Sequence, residues 1–150
     1  MAAALYLKAA SNAGRHDDVI SRGTMTAPDS AEPIGANWPS AQVMMQYHGI
    51  DISQHLPKLV SLEDITWADL ILTMTKHQIG ELRQKFGGTP DLHLDAKVHT
   101  FGNFLGLPGF NIEDPAGKDY SVYLTCAKQL EPLMKSLAEK LNSRDIKAQA

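Results

Sequence analysis

The segment Asn111–Tyr123, NIEDPAGKDYSVY, contains a residue whose type and setting could do chemistry. Asp114 precedes a proline and lies three residues before Gly117, between a short apolar stretch and a long predicted helix. A carboxylic acid held rigidly in such a loop could donate a proton to a departing group. Aspartate is also common in turns, where its side chain binds the backbone or caps the next helix. The local sequence alone favours this second, structural interpretation of Asp114.

Cys126 is the only cysteine in the 150 residues and the only candidate for a thiol nucleophile. A single cysteine rules out an internal disulfide and fits a reducing cytoplasm. Cys126 also lies on a predicted helix beside an apolar stripe, where cysteine usually packs as a small hydrophobic residue. We therefore predict that Cys126 is structural.

The five histidines other than His55 show no spacing that is typical of a metal site. They have no i,i+4 pairing and no nearby cysteine or carboxylate in a ligand pattern; they are His16, His48, His77, His93 and His99. His93 and His99 bracket LDAKV and could share an ion, but the solvent side of a strand explains them better. The sequence predicts no metal and no cofactor.

The composition is that of an ordinary globular protein. The chain has a mass of 16.4 kDa, 43% hydrophobic and 21% charged residues, a net charge of −3 and a pI near 6.0. Lys and Arg are scattered, so nothing favours nucleic acid or an acidic membrane as a partner. Apolar runs are too short to span a bilayer, and no secretory signal is evident. We expect one domain, residues 1–150, in the cytoplasm.

Short apolar runs alternate with helical patterns along the chain. Predicted helices cover Met1–Ala10, Pro39–His48, the segment opened by a Ser61/Asp64 capping box, the Ile79–Phe86 region, and Ser121 onward. Predicted strands are Asp17–Thr24, Leu70–Met74 and Ala96–Phe101, and Ala27–Pro39 is a predicted loop. Alternating strands and helices favour an α/β fold with a parallel sheet. Pro132 should kink or split the last helix, residues 142–150 should form a flexible tail, and Trp38 and Trp67 should pack in or beside the core.

Seven stretches together resemble the low molecular weight protein tyrosine phosphatases. They occur in that family's order and near its spacing: MAAALYLKAA, SRGT, HGIDISQH, ADLILTMT, KVHTF, EDP and DYSVYLTCAKQL. The resemblance covers roughly Met1–Leu141. It implies a three-layer α/β/α, flavodoxin-like fold and hydrolysis of phosphoprotein monoesters through a phosphocysteine.

The family's defining Cys-x5-Arg-Ser/Thr loop is not found in the sequence. The thiolate of that loop attacks phosphorus, and its arginine and backbone N–H groups hold the phosphate oxygens. Met1-Ala2-Ala3 matches the residues just beyond it, so we expect an N-terminally truncated chain lacking the central first strand and catalytic loop. Six residues after Cys126 stands Pro132 instead of an arginine. The 150-residue chain is therefore expected to be inactive.

The resemblance assigns roles to three residues. Asp114 matches the general acid, which protonates the departing oxygen while sulfur attacks phosphorus. Ser21 and His55 match residues that support the phosphate loop through hydrogen bonds. Two departures weaken the match: Arg22 stands where the family often has alanine, and Ala116 where an aromatic residue walls the substrate cleft.

Other functions stay open at this point. A non-catalytic binding or regulatory pseudophosphatase is the main alternative; an arginine phosphatase is a further one, and an arsenate reductase would need additional cysteines. The partner of an intact form would be a phosphorylated protein. Unpaired sheet edges beside the missing strand would favour self-association.

Overall fold

The computed structural model describes residues 1–24 and 30–149, without the side chains of residues 146, 148 and 149. The start of the predicted loop Ala27–Pro39 lies outside the described residues. The chain folds as two compact units. Unit 1 comprises Met1–Ser21, Glu32–His55 and Asp114–Ala150, and unit 2 comprises Arg22–Ala31 and Leu56–Glu113.

Unit 1 is built from three helices: α1 (Ala2–Asn12), α2 (Pro39–His48) and α7 (Tyr120–Gln149). Both α1 and α2 pack against α7. Val43, Tyr123 and Ala127 form a buried cluster between α2 and α7. The long helix therefore provides the surface on which this unit is assembled.

Unit 2 contains a parallel pair of strands, β1 (Ile71–Thr73) and β2 (Val98–Thr100), in the register Ile71 to Val98. Its helices are α3 (Leu62–Trp67), α4 (Lys76–Phe86), α5 (Leu94–Lys97) and α6 (Phe101–Phe104), with a 3₁₀ turn at Pro90–Leu92. Ile65, Leu82, Phe86, Leu92 and Val98 are among the residues of its buried core. The predicted α/β class with a parallel sheet is confirmed.

Local signals set several helix ends where we predicted them. Pro39 opens α2, and Gly49 ends it in the left-handed conformation with φ 64°. The side chains of Ser61 and Asp64 form the predicted reciprocal capping box of α3. These are interactions between near neighbours in the chain, which is why the sequence alone reveals them.

The predicted strand Asp17–Thr24 is wrong. In the described part of the chain this segment contributes only an isolated parallel bridge between Gly23 and Leu59. A strand requires a paired neighbour along its length, and the side chain of Ile20 is left exposed. The strand predicted at Ala96–Phe101 is shorter, since α5 and α6 take up its two ends.

Pro132 does not split the C-terminal helix, because α7 is continuous from Tyr120 to Gln149. Pro132 and Lys128 are both exposed. Water can therefore bind the Lys128 carbonyl that the proline leaves without an N–H donor. The helix includes most of residues 142–150, and the flexibility predicted for that tail stays a prediction.

Both tryptophans are about half exposed, whereas we expected them to pack in or beside the core. Trp38 is 50% exposed and Trp67 is 51% exposed. Trp38 precedes Pro39, and a residue before proline is held in the extended region; its φ and ψ are −67° and 137°. The tryptophan thus occupies the N-cap of α2, outside the helix's buried face.

Candidate functional site

Asp114 lies in an exposed turn directly ahead of α7. Its Oδ1 accepts a hydrogen bond from the Ala116 N–H at 2.9 Å, and the Lys118 N–H donates to the Pro115 carbonyl at 3.0 Å. Gly117 has a φ of 73°, a conformation that glycine adopts without strain. The turn thus fixes the Asp114 carboxylate against its own backbone while leaving it accessible to water.

A different aspartate caps the following helix. Asp119 Oδ1 accepts from the Val122 N–H at 3.3 Å and from the Ser121 hydroxyl at 2.5 Å. The Ser121 hydroxyl, followed by the Val122 N–H, lowers the pKa of Asp119. The helix-capping role considered for Asp114 therefore belongs to Asp119, while the Asp114 carboxylate binds the Ala116 N–H within the turn.

The backbone of His55 is held at both of its polar groups. Its N–H donates to the Ile52 carbonyl, and its carbonyl accepts from the Ile34 N–H, each at 3.0 Å. Just before it, the Gly35 N–H donates to the Ser53 carbonyl at 2.9 Å. The side chain of His55 is exposed, so the loop presents an imidazole from a well-anchored main chain.

The structure places Ser21, His55 and Asp114 in the same compact unit. All three side chains are exposed. Each is also the end residue of one of the three segments that make up unit 1. Residues that are 34 and 59 positions apart along the chain are thereby gathered into one unit by the fold.

Cys126 is buried within α7, at 6% exposure, and is not part of a disulfide. Its neighbours along the helix, Ala127 and Leu130, are also buried. The thiol lies in the second turn of α7, beyond the first turn of the helix. This is the setting of a packing residue and differs from the helix N-terminus that activates a nucleophilic cysteine.

One polar network in unit 1 has no signal in the sequence patterns. Arg15 is only 12% exposed and binds Asp17 through Nε and Nη2 at 2.6 and 2.9 Å. Its Nη1 reaches Asp145 at 2.6 Å and the Asn142 side-chain oxygen at 3.2 Å. Tyr6 donates its hydroxyl to Asp17 at 2.5 Å. Asp145 and Asn142 are 130 and 127 residues from Arg15, so only the fold reveals these two contacts.

Burial, and secondly the hydrogen bond to Asp17, raise the pKa of Tyr6 to about 12. Burial acts to raise the pKa of Asp17 as well, but the hydrogen bonds from Arg15 and Tyr6 outweigh it and leave that pKa lowered. The network therefore favours a neutral Tyr6 beside an ionised Asp17. This arrangement stabilises the junction of α1 and α7.

No group of three or more His, Cys, Asp or Glu side chains suited to a metal ion occurs among the described residues. Within the same residues, no helix is long and apolar enough to cross a membrane.

Comparison with known proteins identifies relatives over nearly the whole chain. A curated protein-arginine-phosphatase of Geobacillus stearothermophilus is 28% identical over 126 residues, which cover 84% of this chain and 78% of the relative. The solved YwlE arginine phosphatase of the same organism aligns over 97% of this chain and 86% of its own, at 27% identity and a TM-score of 0.78. A low molecular weight protein tyrosine phosphatase from T. tengcongensis aligns over 93% and 88%, at 29% identity and a TM-score of 0.76.

The family model of the low molecular weight phosphotyrosine protein phosphatases matches residues 1–147. This match covers nearly the whole chain, and solved relatives share its fold. This chain belongs to the low molecular weight phosphotyrosine protein phosphatase family.

Proposed function

We propose that this chain carries the general acid of a phosphoprotein phosphatase, and that Asp114 is that acid. The observation that carries the proposal is the turn geometry: the carboxylate is exposed and its Oδ1 is fixed by the Ala116 N–H at 2.9 Å. A proton donor must be held in place, yet reach a leaving group on a bound substrate. The family's reaction needs such a donor to protonate the departing group while the phosphoryl group is transferred to the cysteine sulfur.

Ser21 and His55 are proposed to support the family's phosphate loop through hydrogen bonds. The anchored backbone of the His55 loop supports this role, since a positioning side chain needs a rigid base. The expected consequence of losing either side chain is weaker phosphate binding. Neither residue would carry a proton in the chemical step.

The thiol nucleophile of the reaction is proposed not to be Cys126. The Cys126 side chain is buried on α7. Residue 132, where a Cys-x5-Arg motif would place arginine, is proline. Losing the nucleophile removes the covalent route entirely. Residues 1–150 expressed alone are therefore expected to show no turnover of p-nitrophenyl phosphate, and family-like turnover by this polypeptide would contradict the assignment.

The role of Asp114 is tested in a chain that has a nucleophile. A Cys-x5-Arg loop with its preceding strand, taken from the Geobacillus arginine phosphatase, is fused ahead of residue 1. We expect the fusion to hydrolyse p-nitrophenyl phosphate and phosphopeptides. Asp114→Asn should lower kcat on phosphopeptides by about 10²- to 10⁴-fold, the usual contribution of a general acid.

Glu113→Gln is the matched control, since it neutralises the neighbouring exposed carboxylate. It should leave kcat within about twofold, as expected of a surface group outside the reaction. Equal losses in the two variants would refute a specific role for Asp114. A folded fusion without any activity would instead favour the second candidate, a non-catalytic binding protein on this fold.

The phosphorylated residue is proposed to be arginine or tyrosine, both of which occur in the names of relatives. Ala116 offers only a methyl group beside Asp114. Ala116 cannot stack on a phenyl ring as an aromatic residue can. A phosphotyrosine substrate therefore loses more binding contact at this position than a phosphoarginine substrate does. Comparing kcat/KM of the fusion on matched phosphoarginine and phosphotyrosine peptides distinguishes the two.

A further inference from the structure

Unit 2 contains an open cleft of about 560 Å³. Two cations, one carboxylate and two hydroxyl groups line it: Arg22, Lys58, Asp64, Ser30 and Ser61. Ala31 and Leu59 complete the lining. Clefts of this size accommodate small groups or side chains. Five of its seven lining residues have polar or charged side chains, which can bind a charged group.

Backbone hydrogen bonds build this cleft. The Gly23 N–H donates to the Lys58 carbonyl at 2.8 Å, and the Val60 N–H donates to the Gly23 carbonyl at 2.9 Å. The Ser30 N–H donates to the Pro57 carbonyl at 3.0 Å. The two segments that supply Arg22 and Lys58 are thus held side by side by their main chains.

Asp64 is already balanced by its neighbours. Arg22 binds it through Nε at 2.9 Å and Nη2 at 3.4 Å, and the Ser61 N–H donates to it at 3.0 Å. Burial acts to raise its pKa, but the hydrogen bonds from Ser61 and Arg22 outweigh that effect and leave the pKa lowered. Asp64 is therefore an ionised wall of the cleft whose charge Arg22 offsets.

Lys58 supplies the remaining charge. Its side chain is exposed, and it has no carboxylate partner among the residues that the structure describes. With Arg22 and Asp64 offsetting each other, the described lining residues carry one further positive charge, that of Lys58, on a chain whose net charge is −3. An ammonium group flanked by serine hydroxyls is suited to a carboxylate.

We infer that this cleft binds an acidic side chain of a protein partner, with Lys58 as the residue that recognises its carboxylate. The inference rests on the proposed function, because a phosphatase acting on proteins meets a polypeptide around the phosphorylated residue. The residue bound in the cleft would be a glutamate or aspartate of that polypeptide, distinct from the phosphorylated residue. A nucleic acid is not favoured, since Arg22 and Lys58 are the only cations in the described lining of the cleft and the sequence has no run of Lys or Arg.

Binding is measured on the 150-residue chain itself, which needs no turnover. Fluorescence anisotropy compares fluorescein-labelled hexaglutamate, hexaglutamine and oligo-dT of six nucleotides at low salt. Hexaglutamate should bind most tightly and weaken as salt rises. Lys58→Gln should raise its Kd about two- to fivefold, the range expected for one exposed ion pair.

Lys128→Gln is the matched control because Lys128 is also exposed and lies on α7. It should leave the Kd unchanged. Binding of hexaglutamate no tighter than hexaglutamine, or equal effects of the two lysine variants, would overturn the inference. Tighter binding of the oligonucleotide with the same dependence on Lys58 would overturn the assignment to an acidic protein. Failure of the proposed phosphatase reaction would show separately, as loss of turnover in the fusion.

Discussion

Replacing Tyr6 with phenylalanine removes one hydroxyl group from the network that joins α1 to the end of α7. The hydroxyl donates to Asp17 at 2.5 Å, and Tyr6 is only 5% exposed. A hydrogen bond to a charged group contributes about 1.5–3 kcal/mol to stability. We therefore expect Tyr6→Phe to lower the free energy of unfolding at pH 7 by about that amount, which corresponds to a fall in Tm of roughly 3–12 °C for a chain of this size.

The same substitution should change the response to alkaline pH. Folding raises the pKa of Tyr6 from 10.0 to about 12. Below pH 10 the hydroxyl is protonated in both states, and the stabilising effect is complete. Between pH 10 and 12 only the unfolded chain loses the proton, so stability falls, by at most about 2.7 kcal/mol for a two-unit shift. Tyr6→Phe should abolish this part of the pH dependence.

Urea unfolding followed by circular dichroism at pH 7, 10 and 12 measures both effects. Tyr47→Phe is the control, because that tyrosine is exposed on α2 and should change stability by less than about 0.5 kcal/mol. A loss below 0.5 kcal/mol for Tyr6→Phe would refute the importance of the Asp17 bond. An alkaline slope equal to that of the unmodified chain would refute the assignment of the raised pKa to Tyr6.

Two further outcomes follow from the packing of unit 2. Gly102→Ala should destabilise the chain by about 2 kcal/mol or more, because its Cβ would lie 2.5 Å from the Phe110 carbonyl oxygen and 2.8 Å from that of Leu107; thermal melting against Gly80→Ala, which meets no atom within 4 Å, checks this. Strand β1 pairs only with β2 in the described residues, so we expect concentration-dependent self-association through its other edge; light scattering that shows a monomer at all concentrations would contradict it.

The parts of the fold that sequence predicted are those decided by near neighbours. Ser61 and Asp64 are three residues apart, and Pro39 and Gly49 act on their own backbone. The strand prediction for Asp17–Thr24 failed because a strand depends on a paired partner elsewhere in the chain. The same limit concealed Arg15, whose partners Asp17 and Asp145 meet only after folding.

The candidate site divides in the same way. The position of Asp114 ahead of the last helix was predicted from its Pro and Gly neighbours, and its hydrogen bond to Ala116 is local. The role of Asp119 as the helix cap was missed, although its spacing to Ser121 and Val122 is that of an N-cap. The cleft at Lys58 could not be predicted, since it needs the Gly23 and Leu59 segments to be paired.

The most direct test of Asp114 as general acid is the dependence of its effect on the leaving group. In the fusion that carries a Cys-x5-Arg loop, kcat/KM is measured for phenyl phosphate and for p-nitrophenyl phosphate, whose phenol is far more acidic and needs less protonation as it departs. Asp114→Asn should reduce the rate on phenyl phosphate at least about tenfold more than the rate on p-nitrophenyl phosphate. Equal reductions on the two substrates would show that Asp114 does not donate the proton.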